Sequence, residues 1–146
     1  MSNLGPAIGR ALIHPGRGEP PRAPARIVVI KGGALGDIIM TTPLLRAIRR
    51  AWPDANLTYV LGRWSAPILT NNPHLDQVVV IDDEVFFRRR WPDVWRLVRR
   101  VKAGRFDLGF LLDRHYTAGL FGWLAGIPYR VGFDRVGEGL DRKSVV

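Results

Sequence analysis

Short apolar runs rich in β-branched residues recur along this chain, and each is followed by a stretch whose apolar positions fall at helical spacing. The runs at 26–31, 56–61, 77–81, 106–112 and 129–133 read as strands, and the segments near 37–51, 64–70, 91–102 and 115–125 as helical. The run Ile27-Val28-Val29-Ile30 is continuously apolar and does not alternate with polar residues, as expected of a strand buried on both faces. Strand and helix alternating at this spacing predict an α/β fold: a Rossmann-like parallel sheet with right-handed crossovers and helices on both faces.

Local signals refine the boundaries. Thr42-Pro43 has the form of an N-cap followed by proline at the first helical position, so the helical region after Gly36 should be a short turn that restarts at Pro43. Leu44, Leu45 and Ile48 then form an apolar stripe, with Arg46, Arg49 and Arg50 near the C-terminal end, where the helix dipole favours cations. Trp52-Pro53-Asp54 and Asn71-Asn72-Pro73 read as breaks. In the third helical segment Trp91, Val94, Trp95, Val98 and Val101 share a face in projection, while Arg96, Arg99 and Arg100 fall elsewhere. Glycines and prolines punctuate residues 1–25, read as an unstructured leader. Residues 26–136 are expected to form the domain and 137–146 a polar tail.

Composition narrows the class. A chain of 146 residues with 47% hydrophobic content suits a single core. No apolar run approaches a membrane span and no secretory h-region stands at the start, so a soluble, cytoplasmic protein is expected. The absence of cysteine excludes disulfides and thiolate metal sites, and His14, His74 and His115 are too scattered to suggest a metal cluster. The net charge is +9, and it is concentrated: Arg88, Arg89, Arg90, Arg96, Arg99, Arg100, Lys102 and Arg105 stand against the single acid Asp93. Such a patch attracts anions of several kinds, among them nucleic acid, anionic headgroups and phosphorylated glycans. The helix carrying it reads either as an ordinary sheet-covering helix with solvated arginines or as an interfacial segment resting on anionic lipid or acceptor phosphates.

The candidate chemistry lies where the first strand empties into Gly32-Gly33-Ala34-Leu35-Gly36-Asp37. A dinucleotide fingerprint needs G-x-G-x-x-G/A, which Ala34 breaks, and a phosphate loop needs a following Gly-Lys-Ser/Thr, which is missing. Asp37 at a helix start has two readings, a cap stabilised by free amides or a base able to take a proton from a bound hydroxyl. Lys31 has two as well, a strand-end lysine reaching solvent or a phosphate ligand.

Several segments carry a resemblance. Lys31 to Pro43, read as K-x-x-x-L-G-D-x-x-x-T-T-P, then Leu44-Leu45, Trp52-Pro53-Asp54-Ala55 and Asn72-Pro73-His74-Leu75-Asp76 are similar to the start of family 9 glycosyltransferases, the lipopolysaccharide heptosyltransferases and their relatives. Arg105-Phe106-Asp107, Leu124-Ala125-Gly126-Ile127-Pro128 and Arg130-Val131-Gly132-Phe133 continue the likeness in order. The resemblance implies the N-terminal half of a GT-B fold and an inverting, metal-independent transfer of a heptose or similar sugar from a nucleotide-sugar donor to a glycolipid acceptor. It implies no other cofactor, and a place at the inner face of the cytoplasmic membrane. By matching position, Asp37 would be the general base. Lys31, Gly32, Gly33, Gly36, Thr41, Asp113, Arg114 and His115 are expected to line the acceptor site, with Arg88, Arg89, Arg90, Arg96, Arg99 and Arg100 as the membrane or phosphate patch.

Three departures stand out. Gly32 and Gly33 replace serines frequent in the family loop, Asp113-Arg114-His115 stands where a glutamine-glycine pair is usual, and the family's C-terminal, nucleotide-sugar-binding domain has no counterpart here. The isolated chain is therefore expected to be inactive unless a separate donor-binding domain is supplied. Two other function classes remain, a non-catalytic lipid- or glycan-binding remnant and, last, a nucleic-acid module without any helix-turn-helix, RNP or zinc signature. No nucleic-acid partner is expected.

Overall fold

The computed structural model describes residues 21–82, 85, 91–113 and 116–132. In chain order the elements are β1 (Arg26–Lys31), α1 (Leu35–Met40), α2 (Thr42–Ala51), β2 (Asn56–Gly62), a 3-10 turn (Ala66–Leu69), β3 (Gln77–Ile81), α3 (Trp91–Ala103), β4 (Leu108–Leu111), α4 (Tyr116–Leu124) and β5 (Tyr129–Gly132). The expected leader, apart from residues 21–25, and the expected polar tail lie outside the described residues.

The five strands form one parallel sheet in the order β3-β2-β1-β4-β5. Side chains of successive strand residues point to opposite faces, so β1 supplies two cores. Val28 and Ile30 pack with Leu97, Val98 and Val101 of α3 and Phe121 of α4. Ile27 and Val29 pack on the other face with Ile38 of α1 and Leu45 and Ile48 of α2. Helices thus cover both faces, which is why Ile27 to Ile30 of β1 lack polar alternation.

Two aspartates set the strand starts. Asp107, just before β4, accepts hydrogen bonds from the Ala25 and Arg26 amides at 2.8 and 2.9 Å, tying the beginning of β1 to β4. Asp76, just before β3, accepts from the Leu57 amide of β2 at 2.7 Å and from Arg49 of α2 at 2.6 Å. Arg49 also donates to the carbonyls of Pro53, Ala55 and His74, so one guanidinium closes the end of α2 and the turn into β3. Each carboxylate does for its strand what an N-cap does for a helix: it accepts a backbone donor at the strand's edge.

Two local expectations are corrected. Thr41, not Thr42, is the N-cap of α2; it is at once the C-cap of α1 and keeps a helical backbone, so the chain bends between two helices without leaving the helical region. The hydroxyls of Thr41 and Thr42 donate back to the Ile38 and Ile39 carbonyls, satisfying acceptors that the break would orphan. In α3 the buried stripe is Leu97, Val98 and Val101 with half-buried Val94, while Trp91 and Trp95 stand outside it, 70% and 52% exposed. The projection grouped the tryptophans with the valines because both are apolar. The sheet selects the arc one step round, where branched side chains fit between strands.

Candidate active site

In an open parallel sheet, ligands bind beyond the C-terminal strand ends at the point where the strand order reverses. Here that point lies between β1 and β4, since β2 and β3 lie to one side of β1 and β4 and β5 to the other. Lys31 closes β1, and Asp113 follows β4 by two residues.

These two meet across the reversal. Lys31 Nζ donates to Asp113 Oδ1 at 2.9 Å, and the Gly32 amide donates to Asp113 Oδ2 at 2.9 Å. The same ammonium reaches Asp37 Oδ2 at 3.2 Å, so one cation bridges two carboxylates. Exposure separates their roles. Lys31 is only 14% exposed and Asp113 is largely enclosed, whereas Asp37 is 56% exposed and opens outward from the sheet edge. Burial by itself would lower the Lys31 pKa, but the hydrogen bonds and charges of Asp113 and Asp37 outweigh it and hold the ammonium above its ordinary value.

Asp37 does not cap its helix. The N-cap of α1 is Ala34, held at a φ of 63°, with no side-chain capping bond, and Asp37 sits inside the first turn facing Lys31. It makes no capping hydrogen bond, and in the first turn it lies where the helix dipole favours an acid. Lys31 does not run out to solvent; its ammonium is engaged by the two carboxylates inside the site.

Beneath the cluster the Thr41 hydroxyl lies 3.0 Å from the Tyr59 hydroxyl, both buried. Desolvation, together with the nearby Asp113 and Asp37 charges, pushes Tyr59 up to about 12 against the lowering effect of its Thr41 bond, so it stays neutral. Thr41, expected among the acceptor contacts, therefore has its hydroxyl directed into the interior as a floor support. Gly32 has its amide engaged by Asp113. Gly33 and Gly36 are different: a Cβ added at either would meet nothing within 4 Å, so packing within the chain does not require glycine there. The outer surface of α1 beside them is apolar, with Leu35, Ile39 and Met40 exposed.

Arg114 and His115, and Arg88, Arg89 and Arg90 of the patch, lie outside the described residues. The rest of the patch divides. Arg96 pairs with Asp93 at 3.3 Å, and Arg96 and Arg100 line a groove with Val80, Ile81 and Asp82 at the β3 edge, while Arg99 is exposed on a different arc. The sequence reading missed the Lys31–Asp113 bridge and the Tyr59 floor. A lysine ending one strand and an aspartate following another are visible as residues, but only the strand order makes them neighbours.

The architecture first defines a class, the Rossmann-like half of a GT-B glycosyltransferase fold. Comparison then reaches the family. A family 9 glycosyltransferase of Veillonella parvula superposes with a TM-score of 0.67 at 28% identity, covering 75% of this chain and 32% of that one. The ADP-heptose lipopolysaccharide heptosyltransferase II structure of Escherichia coli has the same fold, with a TM-score of 0.62 at 23% identity over 73% of this chain and 30% of that one. In sequence, lipopolysaccharide heptosyltransferase 2 of Escherichia coli K12 is 25% identical over 113 residues, 74% of this chain and 31% of the relative. No family model matches. The resemblance to family 9 glycosyltransferases drawn from the sequence is borne out, and the chain spans about a third of the length of the relatives it matches.

Proposed function

We propose that this chain provides the acceptor-binding part of an inverting glycosyltransferase, with Asp37 as general base. The observation that carries the reading is the placement of a half-exposed carboxylate at the strand-order reversal, steered by a lysine that a second, enclosed carboxylate holds in place. Asp37 accepts the proton of an acceptor hydroxyl as that oxygen attacks the anomeric carbon of the donor. The new carbon–oxygen bond forms on the face opposite the leaving group, the bond to the nucleotide diphosphate breaks, and the diphosphate leaves with the electron pair. Lys31 orients the carboxylate, and Asp113 with the Gly32 amide fixes Lys31. The open backbone at Gly33 and Gly36 gives a sugar room to approach the base.

The related enzymes suggest a heptose-type donor and a lipopolysaccharide-core acceptor. The matched region is about a third of those enzymes, so in this reading donor binding and leaving-group stabilisation belong to the part of their length outside the match. The decisive comparison is Asp37→Asn in a protein completed by its donor-binding part, assayed for sugar transfer. The rate should fall roughly a hundred- to ten-thousandfold with the melting temperature unchanged. A variant that transfers at the parent rate would leave only the non-catalytic binding reading.

A further inference from the structure

The outer side of α2 carries cations that the fold does not use. Of its three arginines, Arg49 is fully engaged, by the Asp76 carboxylate and by the Pro53, Ala55 and His74 carbonyls. Arg46 and Arg50 are exposed, and among the described residues neither has an ion-pair or hydrogen-bond partner. They stand four positions apart, so two like charges neighbour each other across one helical turn, which weakens a helix. The helix dipole accounts for Arg50 in the last turn but not for Arg46 in the middle. Opposite them runs Asn72-Pro73-His74, the turn into β3, and its backbone is pinned. The His74 amide donates to Asn72 Oδ1 at 2.9 Å, and the His74 carbonyl accepts two bonds from Arg49, at 3.1 and 2.8 Å. Between turn and helix lies a groove of about 570 Å³, with Arg46, Ala47 and Arg50 on the helix side and Asn72, Pro73 and His74 on the other. No carboxylate lines it.

We propose that this groove is a binding site for a phosphomonoester, separate from the site at Asp37. α2 leads away from the strand ends, and Arg46 and Arg50 lie roughly 6 and 12 Å along its axis from Thr42, on the flank of the domain. Two guanidinium forks a turn apart suit a tetrahedral dianion, whose three free oxygens take hydrogen bonds from both forks at once. A carboxylate, planar and singly charged, fills one fork only. The His74 imidazole supplies an N–H donor in either charge state, and a bound dianion removes the repulsion between the two arginines. Because Arg49 has already fixed the His74 backbone, little ordering remains to oppose binding. The inference stands on this groove and does not depend on the role given to Asp37.

The test is isothermal titration calorimetry of the purified chain with inorganic phosphate, glucose 6-phosphate, acetate and glucose. Both phosphates should bind, with acetate and glucose weaker by roughly tenfold or more. Tighter binding of glucose 6-phosphate would support a phosphorylated sugar as the occupant, and equal affinities would support recognition of the phosphate group alone. Arg46→Gln with Arg50→Gln should weaken phosphate by roughly tenfold or more, while the melting temperature holds or rises because a like-charged pair is gone. Lys102→Gln with Arg105→Gln removes two exposed cations from the other face of the sheet and should bind phosphate as the parent does. In proton NMR the His74 ring signals, assigned by their loss in His74→Gln, should shift as phosphate is added. Acetate binding as tightly as phosphate, equal losses in the two double variants, or His74 signals that stay in place would each overturn the proposal. No sugar donor enters this experiment, so its failure leaves the glycosyltransferase reading untouched, and the reverse holds.

Discussion

Lys31 is the residue on which the site turns. It is enclosed, it bridges Asp37 and Asp113, and its removal would leave two carboxylates facing each other with no cation between them. Lys31→Met should cost about 1–3 kcal/mol of stability, read as a lower urea midpoint, because a charged hydrogen-bond acceptor in a part-buried site loses its partner. Lys31→Arg should recover part of that loss while displacing Asp37, so stability and transfer rate would separate. If Lys31→Met leaves the midpoint unmoved, the bridge is not a structural element. Asp37 and Lys31 were both singled out from sequence, because glycine, lysine and aspartate at a strand end are unusual in a core-building segment. Their mutual contact was not, since a six-residue separation around a glycine turn permits many geometries and only the Ala34 backbone at a φ of 63° selects this one.

At the scale of elements, periodicity carried far. β1 and β3 have the boundaries read from their apolar runs, and α3 and α4 agree to within one residue at each end. The β4 expectation was longer than the strand, because Phe106 is apolar but buries beneath the α3–β4 turn instead of extending the ladder. Close packing sets the next limit. α4 rests on β4 at Gly122, where an added Cβ would fall 2.8 Å from Leu111 Cδ1 and from Arg130 Cδ. Gly122→Ala should therefore destabilise the fold by about 1–3 kcal/mol despite alanine's better helix propensity, the overpacking outweighing roughly 1 kcal/mol of backbone gain. Thermal melts would show it. A variant more stable than the parent would mean that Leu111 and Arg130 move aside at little cost.

For the whole molecule, the ionisable groups define a pH window of stability. Lys31 and Tyr59 both have pKa values raised by the fold, so their contributions are fully present below about pH 10 and are lost as the pH rises through the folded values, about 12 for Tyr59. Asp76 is the acid counterpart: burial raises its pKa, but the Leu57 amide and Arg49 more than offset that and lower it from 3.8. Its contribution is present above pH 3.8 and lost as the pH falls through the folded value. Asp76→Asn should flatten the acid limb of a stability-against-pH curve and Tyr59→Phe the alkaline limb. Limbs unchanged in these variants would assign the pH dependence to other groups.

The sequence by itself determined the alternation of strands and helices, the glycine turn that ends β1, and the register of segments that carries the family resemblance. These are legible because backbone propensity and apolar periodicity act over a few neighbouring residues. The tertiary structure alone decided which side chains meet. Lys31 and Asp113 are 82 positions apart and become partners only because β4 crosses back to lie against β1. It also decided which arc of α3 is buried, leaving Trp91 and Trp95 outside, since a helix with apolar residues over a broad arc takes its orientation from the sheet it covers. Contacts between distant segments follow from strand order, and no local pattern encodes strand order.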